Sequence, residues 1–330
     1  MMTIGSAARM ASAMADARSE RTGQGTKAAT ADRAASETEV PQASAPNTAA
    51  NRATAPFTDG DVLLVKLRNQ LSSFSKKERV IAEHLLEHGP AASTTAIGAL
   101  AGTLGLSPGL IVGFCKKLGF QGFQELKQVL STASPARRNL PIAGELPPEL
   151  IVVNTFMNAA MAVEDTLMIN DPKSFDEASG WIAQAPRVEF FGSGGSARIA
   201  ENAARKFLRF KPTVAFHRDS TLQLRSAQSL TPDCVGIGIS YSGETEQVVT
   251  CLKTAKENGA KTIALTSTER SSLTLHADIV FLAAVRGVEM FNENEFSKIG
   301  QTVILDALYY CFINKLEGEK AAGSGLAAGD

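Results

Sequence analysis

The sequence predicts an α/β protein in two parts: an N-terminal all-α bundle containing a helix-turn-helix, and a C-terminal doubly wound α/β/α domain on a parallel five-stranded sheet. Three observations carry this expectation. Between Val62 and Lys127, short segments with apolar residues at helical spacing alternate with capping residues and glycine stops. From Val188 to Leu282, short apolar runs alternate with helical patterns, as in strands joined by crossover helices. Two of those runs end in small-residue loops, Gly192-Ser193-Gly194-Gly195-Ser196 and Ser240-Tyr241-Ser242-Gly243-Glu244-Thr245.

At 330 residues the chain has room for two domains, and its net charge of −1 requires any basic surface to be local. Residues 1–56 are rich in Ala, Thr, Ser and Gln with few large apolar residues, which predicts a disordered tail. The four cysteines (Cys115, Cys234, Cys251, Cys311) are scattered in apolar or helical patterns and read as free thiols. The four histidines have no metal-ligand spacing; His84 and His88 share a helix face beside Gly89 without a carboxylate or cysteine motif. No metal and no cofactor is expected. No apolar run reaches the ~20 residues of a membrane span, and no signal-peptide core is visible, so a cytoplasmic location is the expectation.

In chain order, the bundle (57–132) opens with a helix over Val62 to Ser73. Ser75-Lys76-Lys77-Glu78 is a capping box and starts a helix to Glu87, closed by Gly89-Pro90. Ser93 or Thr94 is expected to cap a third helix carrying Ile97, Leu100, Ala101 and Leu104. Ser107 and Pro108 supply the N-cap and first position of a fourth, with Leu110, Ile111, Phe114 and Leu118 inward and Lys116 and Lys117 free to face out. A fifth begins at Gly122. Two short helices joined by a tight turn form a helix-turn-helix, whose second helix can enter a DNA major groove; Ser107, Lys116 and Lys117 are the candidate DNA contacts.

Residues 133–148, with Ser134-Pro135 and Pro147-Pro148, read as a linker. The α/β domain (149–318) has helices over Leu150–Leu167 and Phe175–Gln184, then strands from Val188, at Thr213–Phe216, Val235–Ser240, Thr262–Thr266 and Ile279–Leu282. Helices are expected over Ala197–Phe210, Asp219–Gln228, Glu246–Asn258 and Phe296–Leu316, the last apolar enough to pair with a second copy. Residues 319–330 read as a flexible tail.

Turns after strands of an open parallel sheet gather at the carboxyl edge, where helix N-termini and hydroxyls favour an anion. Gly194, Gly195, Ser196, Ser240, Ser242, Gly243 and Thr245 are therefore the candidate ligand residues, with a phosphate as the natural occupant. Gly243 would let the backbone approach the anion closely. The first loop does not complete the dinucleotide pattern GxGxxG, because position 197 is Ala.

The runs Phe114-Cys115-Lys116-Lys117-Leu118-Gly119-Phe120-Gln121-Gly122-Phe123 and Ile239-Ser240-Tyr241-Ser242-Gly243-Glu244-Thr245 together make the chain resemble the RpiR family of transcription regulators. The resemblance covers about Val62 to Leu316 and implies a helix-turn-helix joined to a sugar isomerase (SIS) domain. It further implies that Ser240, Ser242, Thr245 and Ser196 hold the phosphate of a phosphorylated sugar, and that the protein forms a homodimer or homotetramer on operator DNA. One departure stands out: Leu110 and Gly113 occupy positions where the family usually carries Thr and Arg, which removes side-chain donors from the groove-reading face. Ser297-Lys298 likewise stands where Ser-Arg is common. Three readings follow: a phosphosugar-responsive regulator of carbohydrate metabolism, a phosphosugar isomerase, or a sensor that has lost specific DNA binding and acts through a protein partner. Glu244, Glu293, Glu295, His217 and His276 show no diagnostic catalytic spacing, so no catalytic residue is assigned.

Overall fold

Reciprocal caps begin the first two helices. Thr58 accepts from the Asp61 amide while the Asp61 carboxylate accepts from the Thr58 amide, opening α1 (Asp59–Asn69). Ser75 and Glu78 do the same for α2 (Lys76–His88). Each box satisfies backbone N–H groups that the first helical turn leaves without partners. The first helix thus starts before Val62 and stops at Asn69, and Leu71–Ser73 continues as a 3-10 turn. This computed structural model describes residues 58–134, 140–142, 144–211, 213–286 and 295–326, with 319–326 as backbone alone. The tail expected over 1–56, and residues 135–139 and 143 of the expected linker, lie outside the described residues.

The expected cap of the third helix is corrected. Gly89–Thr94 is a 3-10 turn in which the Ser93 hydroxyl donates to Pro90 O and the Thr94 hydroxyl to Ala91 O. Both hydroxyls bond backwards, so α3 (Ile97–Leu104) starts at Ala96 without a side-chain cap. Gly105, at φ 63°, ends α3 in the left-handed region. Ser107 caps α4 (Pro108–Lys117) by accepting from the Leu110 amide. The axes of α3 and α4 differ by 103°, the crossing of a helix-turn-helix. Packed on these is α5 (Phe123–Ser131). Leu67, Ile81, Leu85, Leu100, Ile111, Phe114 and Leu126 form one buried core. Each such side chain contributes about 1.5–3 kcal/mol relative to exposure.

Two helices, α6 (Pro148–Met168) and α7 (Pro172–Gln184), precede the sheet. Then β1 (Val188–Gly192), α8 (Gly194–Leu208), β2 (Val214–Phe216), α9 (Ser220–Gln228), β3 (Val235–Ile239), α10 (Glu246–Glu257), β4 (Lys261–Thr266), β5 (Ile279–Leu282) and α11 (Glu295–Leu326) follow. All strands are parallel in the order β2-β1-β3-β4-β5. Alternate strand residues feed opposite faces, since successive side chains on a strand point opposite ways. Phe190, Ile237, Ile263 and Phe281 pack with α7, α8 and α11, whereas Phe191 and Ala264 pack with α9 and α10. Helices on both faces explain why β1 and β3 are buried along their full length.

Two details differ from the sequence expectation. The closing helix runs well past Leu316, to Leu326. It also directs Ile304, Leu305, Leu308 and Phe312 into the sheet core, so much of its apolar length is spent inside the chain. Among the described residues no single helix is long and apolar enough to cross a membrane.

Candidate functional site

The strand order reverses direction between β1 and β3: β1 connects toward β2, β3 toward β4. Their register sets Gly192 opposite Ile239, so the loops after both strands leave the carboxyl edge side by side. Such a switch point opens a crevice where ligands enter parallel sheets.

The first loop is short. Ser193 is the N-cap of α8 and makes no side-chain cap bond; Gly194 has φ 54°, and Gly195 and Ser196 already lie in the first helical turn. The helix therefore begins earlier than Ala197, which brings its unpaired N–H groups up to the sheet edge. Buried Gln223 braces the end of β1: its carbonyl accepts from the Gly192 amide at 3.1 Å and its amide donates to Gly192 O at 2.9 Å.

The second loop is an internally bonded hydroxyl turn. Ser240 Oγ and Thr245 Oγ1 are 2.8 Å apart, and the Gly243 amide donates to Ser240 Oγ at 3.1 Å. Ser240 is 2% exposed, so it braces the turn from beneath, while Ser242 is exposed and accepts from the Glu244 amide. Thr245 is the N-cap residue of α10. Glu244 accepts from the Ser272 amide and hydroxyl at 2.9 and 2.6 Å, tying the turn to the loop after β4. The reason for Gly243 differs from the expectation of close anion approach. At φ 72°, a Cβ there would meet Ser271 Oγ at 2.1 Å, so neighbouring protein fills that space.

Beyond the second loop lies a cleft of about 500 Å³. Tyr241, Ser242 and Ser267 line one side; Asn69, Ser72 and Ser73, from the end of α1 and the turn after it, line the other. The helical bundle is held here by buried and half-buried polar bonds. Asn69 donates to Ala283 O (3.2 Å) and accepts from the Val285 amide (2.8 Å), and Gln70 donates to Glu269 (3.0 Å). Arg68 and Arg286 both donate to Asp165 Oδ2, at 3.2 and 2.5 Å.

On the outer face of α4, Ser107, Gly109, Gly113 and Lys116 are exposed. The Ser107 hydroxyl serves as the helix cap. Lys117 is exposed as well, but its ammonium is paired: Nζ lies 2.9 and 3.0 Å from the two Glu78 oxygens and 5.4 Å over the Phe74 ring. Burial works to raise the Glu78 carboxyl, but the Ser75 amide and the Lys117 ammonium outweigh it and hold the group below the ordinary value. A Cβ at Gly109 or Gly113 would meet nothing within 4 Å, so neither glycine is required by packing.

Residues 62–135 match the family model for the helix-turn-helix domain of the rpiR family, and residues 181–304 match that of the SIS domain. An uncharacterized HTH-type transcriptional regulator of Caldanaerobacter subterraneus subsp. tengcongensis is 33% identical over 261 residues, spanning 77% of this chain and 91% of the relative. The HTH-type transcriptional regulator HexR of Pseudomonas aeruginosa is 31% identical over 208 residues, 62% of this chain and 73% of HexR. The chain belongs to the RpiR family of HTH-type transcriptional regulators. Among solved structures, the Vibrio vulnificus NanR protein complexed with ManNAc-6P is 24% identical, with 81% of this chain and 97% of that one covered and a TM-score of 0.48.

In this RpiR-family regulator the two expected loops are adjacent because β1 and β3 are neighbours, whereas the bundle residues beside the cleft had no sequence signal. Asn69, Ser72 and Ser73 sit in a segment whose pattern reads only as a helix end. Ser267 follows β4 without a glycine motif to mark it. Lys298, at the site of the family's common Arg, bonds Glu295 of its own helix at 2.8 Å.

Proposed function

We propose that this regulator binds operator DNA through α3 and α4 and senses a phosphorylated sugar at the carboxyl edge of its sheet, without catalysing a reaction on it. The observation that carries the reading is the Ser240–Thr245 turn: a hydroxyl-rich turn leading into a helix N-terminus, on the strand next to the one that feeds the Gly194–Ser196 start of α8. A phosphate monoester there gains helix-dipole attraction and hydrogen bonds, and Ser242, Thr245 and Ser196 are its donors. Ser240 and Gly243 shape the turn. Glu244 is committed to Ser272, which suits a fixed binding loop better than a base that must move protons.

Sugar phosphates should raise the melting temperature of the full-length protein, since a ligand bound only by the folded state stabilises it. The Ser240→Ala/Ser242→Ala variant should lose that shift while still folding. Gel-shift assays with its promoter fragments at low salt test the DNA half, and absence of any shifted band would reject it. Coupled assays over hexose, pentose and heptose phosphates should show no turnover; turnover would favour the isomerase reading.

Pairing with a second copy fits α6 better than α11. The inward stripe of α6 is polar, with Asn154 bonded to Pro141 O and Asn158 to the Leu140 amide and carbonyl. Its apolar residues face away, Val152, Val153 and Phe156 being 56, 55 and 74% exposed. A two-fold contact lets one such ridge cover another. Sedimentation should show a dimer that Phe156→Glu dissociates.

A further inference from the structure

Ser267 is 1% exposed and its hydroxyl has no hydrogen-bond partner among the described residues, yet it lines the cleft between the Ser240–Thr245 turn and the bundle. A buried hydroxyl without a partner is unfavourable, a penalty that a polar occupant of the cleft removes. The opposite wall belongs to the DNA-binding half: Asn69 and the 3-10 turn carrying Ser72 and Ser73. Ser72 and Ser73 are exposed toward solvent, and the Ser73 hydroxyl donates back to Gln70 O, leaving its lone pairs open to a donor. At about 500 Å³ the cleft falls within the usual size of small-ligand sites. Its lining is mainly hydroxyls, with the Asn69 amide, exposed Arg270, Val285 and the Glu244 carboxylate, which is already bonded to Ser272, and it matches a polyhydroxylated molecule better than an apolar one.

We propose that Ser72 and Ser73 of the helix-turn-helix half, with Ser267, bind the sugar hydroxyls of an effector whose phosphate rests on the Ser240–Thr245 turn. The inference rests on the phosphosugar reading and adds to it a route from ligand to DNA. The turn bearing Ser72 and Ser73 follows α1 directly, and α1 is fastened to the α/β domain through Arg68, Asn69 and Gln70. An effector touching both walls binds only while α1 is docked. Its affinity therefore differs between docked and undocked arrangements, which is what shifting the placement of α3 and α4 requires. The sugar is thus read by both halves of the chain and the phosphate by the α/β half alone.

Calorimetric titration of the full-length protein with hexose 6-phosphates, and separately with inorganic phosphate, tests this. Three variants are compared with the unaltered chain: Ser72→Ala/Ser73→Ala, Ser72→Tyr and Ser242→Ala. Circular dichroism and melting without ligand confirm that each folds. The double alanine variant should weaken the tightest hexose 6-phosphate about tenfold, Ser72→Tyr should abolish its binding, and neither should alter weak inorganic phosphate binding. Unchanged sugar affinity in both Ser72 variants, with binding lost in Ser242→Ala, overturns the two-walled site and leaves the phosphosugar reading standing. Unchanged affinity in Ser242→Ala, or no hexose 6-phosphate binding by the unaltered chain, overturns that reading and the two-walled site with it.

Discussion

Arg68, in the first helix of the DNA-binding half, donates to the buried carboxylate of Asp165 in the first helix of the α/β half, across 97 residues of sequence. Arg286, on the segment leaving β5, donates to the same oxygen. One carboxylate thereby joins the bundle, α6 and the end of the sheet. Desolvating these charges is expensive, and the geometry recovers the cost only while every partner is in place.

Asp165→Asn leaves two buried guanidinium groups facing a neutral amide. We expect it to lower stability by about 3–5 kcal/mol in urea denaturation, with Arg68→Met costing less because Arg286 keeps its carboxylate. A loss below about 1 kcal/mol for Asp165→Asn would show that the cluster does not hold the two halves together.

Gly243→Ala combines a left-handed backbone with a methyl group placed on Ser271. The backbone alone costs about 1–2 kcal/mol, and overpacking adds about 1–3 kcal/mol. Adding Ser271→Gly should recover the second part and not the first. Thermal unfolding of both variants separates the two; full recovery would mean that φ at Gly243 matters little.

The open space around Gly113 makes Gly113→Arg a gain-of-function test. It should raise helix propensity by about 1 kcal/mol and steepen the salt dependence of DNA binding by about one phosphate contact. Lys116→Ala should make that dependence shallower by a similar step. Lys117→Ala should hardly change it, because Lys117 is already paired with Glu78, and should cost at most about 1 kcal/mol of folding stability. Equal salt slopes for all three variants would remove α4 from the DNA contact.

His84 and His88 stack with ring centroids 4.0 Å apart. Burial, then the charge of His88, hold the His84 imidazole below 6.5, while Glu87 pulls upward. With the folded value below the unfolded one, the unfolded chain takes up the proton first on acidification. This contribution to stability is complete above pH 6.5 and is lost as the pH falls from there through the folded value. Urea midpoints measured across that window should fall for the natural chain and fall less for His84→Gln; parallel curves would contradict the assignment.

Where a signal is local, the sequence carried it. The Ser75–Glu78 box, the Ser107-Pro108 start and the two loops after β1 and β3 each depend on residues within a few positions, so they were legible in the string. The α3 start differs from the sequence pattern because hydroxyls at Ser93 and Thr94 have two sets of backbone partners in reach, and only the folded chain chooses.

By itself, then, the sequence determined the order of helices and strands, the parallel sheet and the hydroxyl turns, since periodicity and capping act over one or two turns of chain. Tertiary structure alone decided that Glu78 captures Lys117 from 39 residues away, that Asn69 docks on Val285 across 216, and that Ser72 and Ser73 line one cleft with Ser267. Those pairings arise from how two separate cores settle against each other, and no short-range pattern encodes that contact.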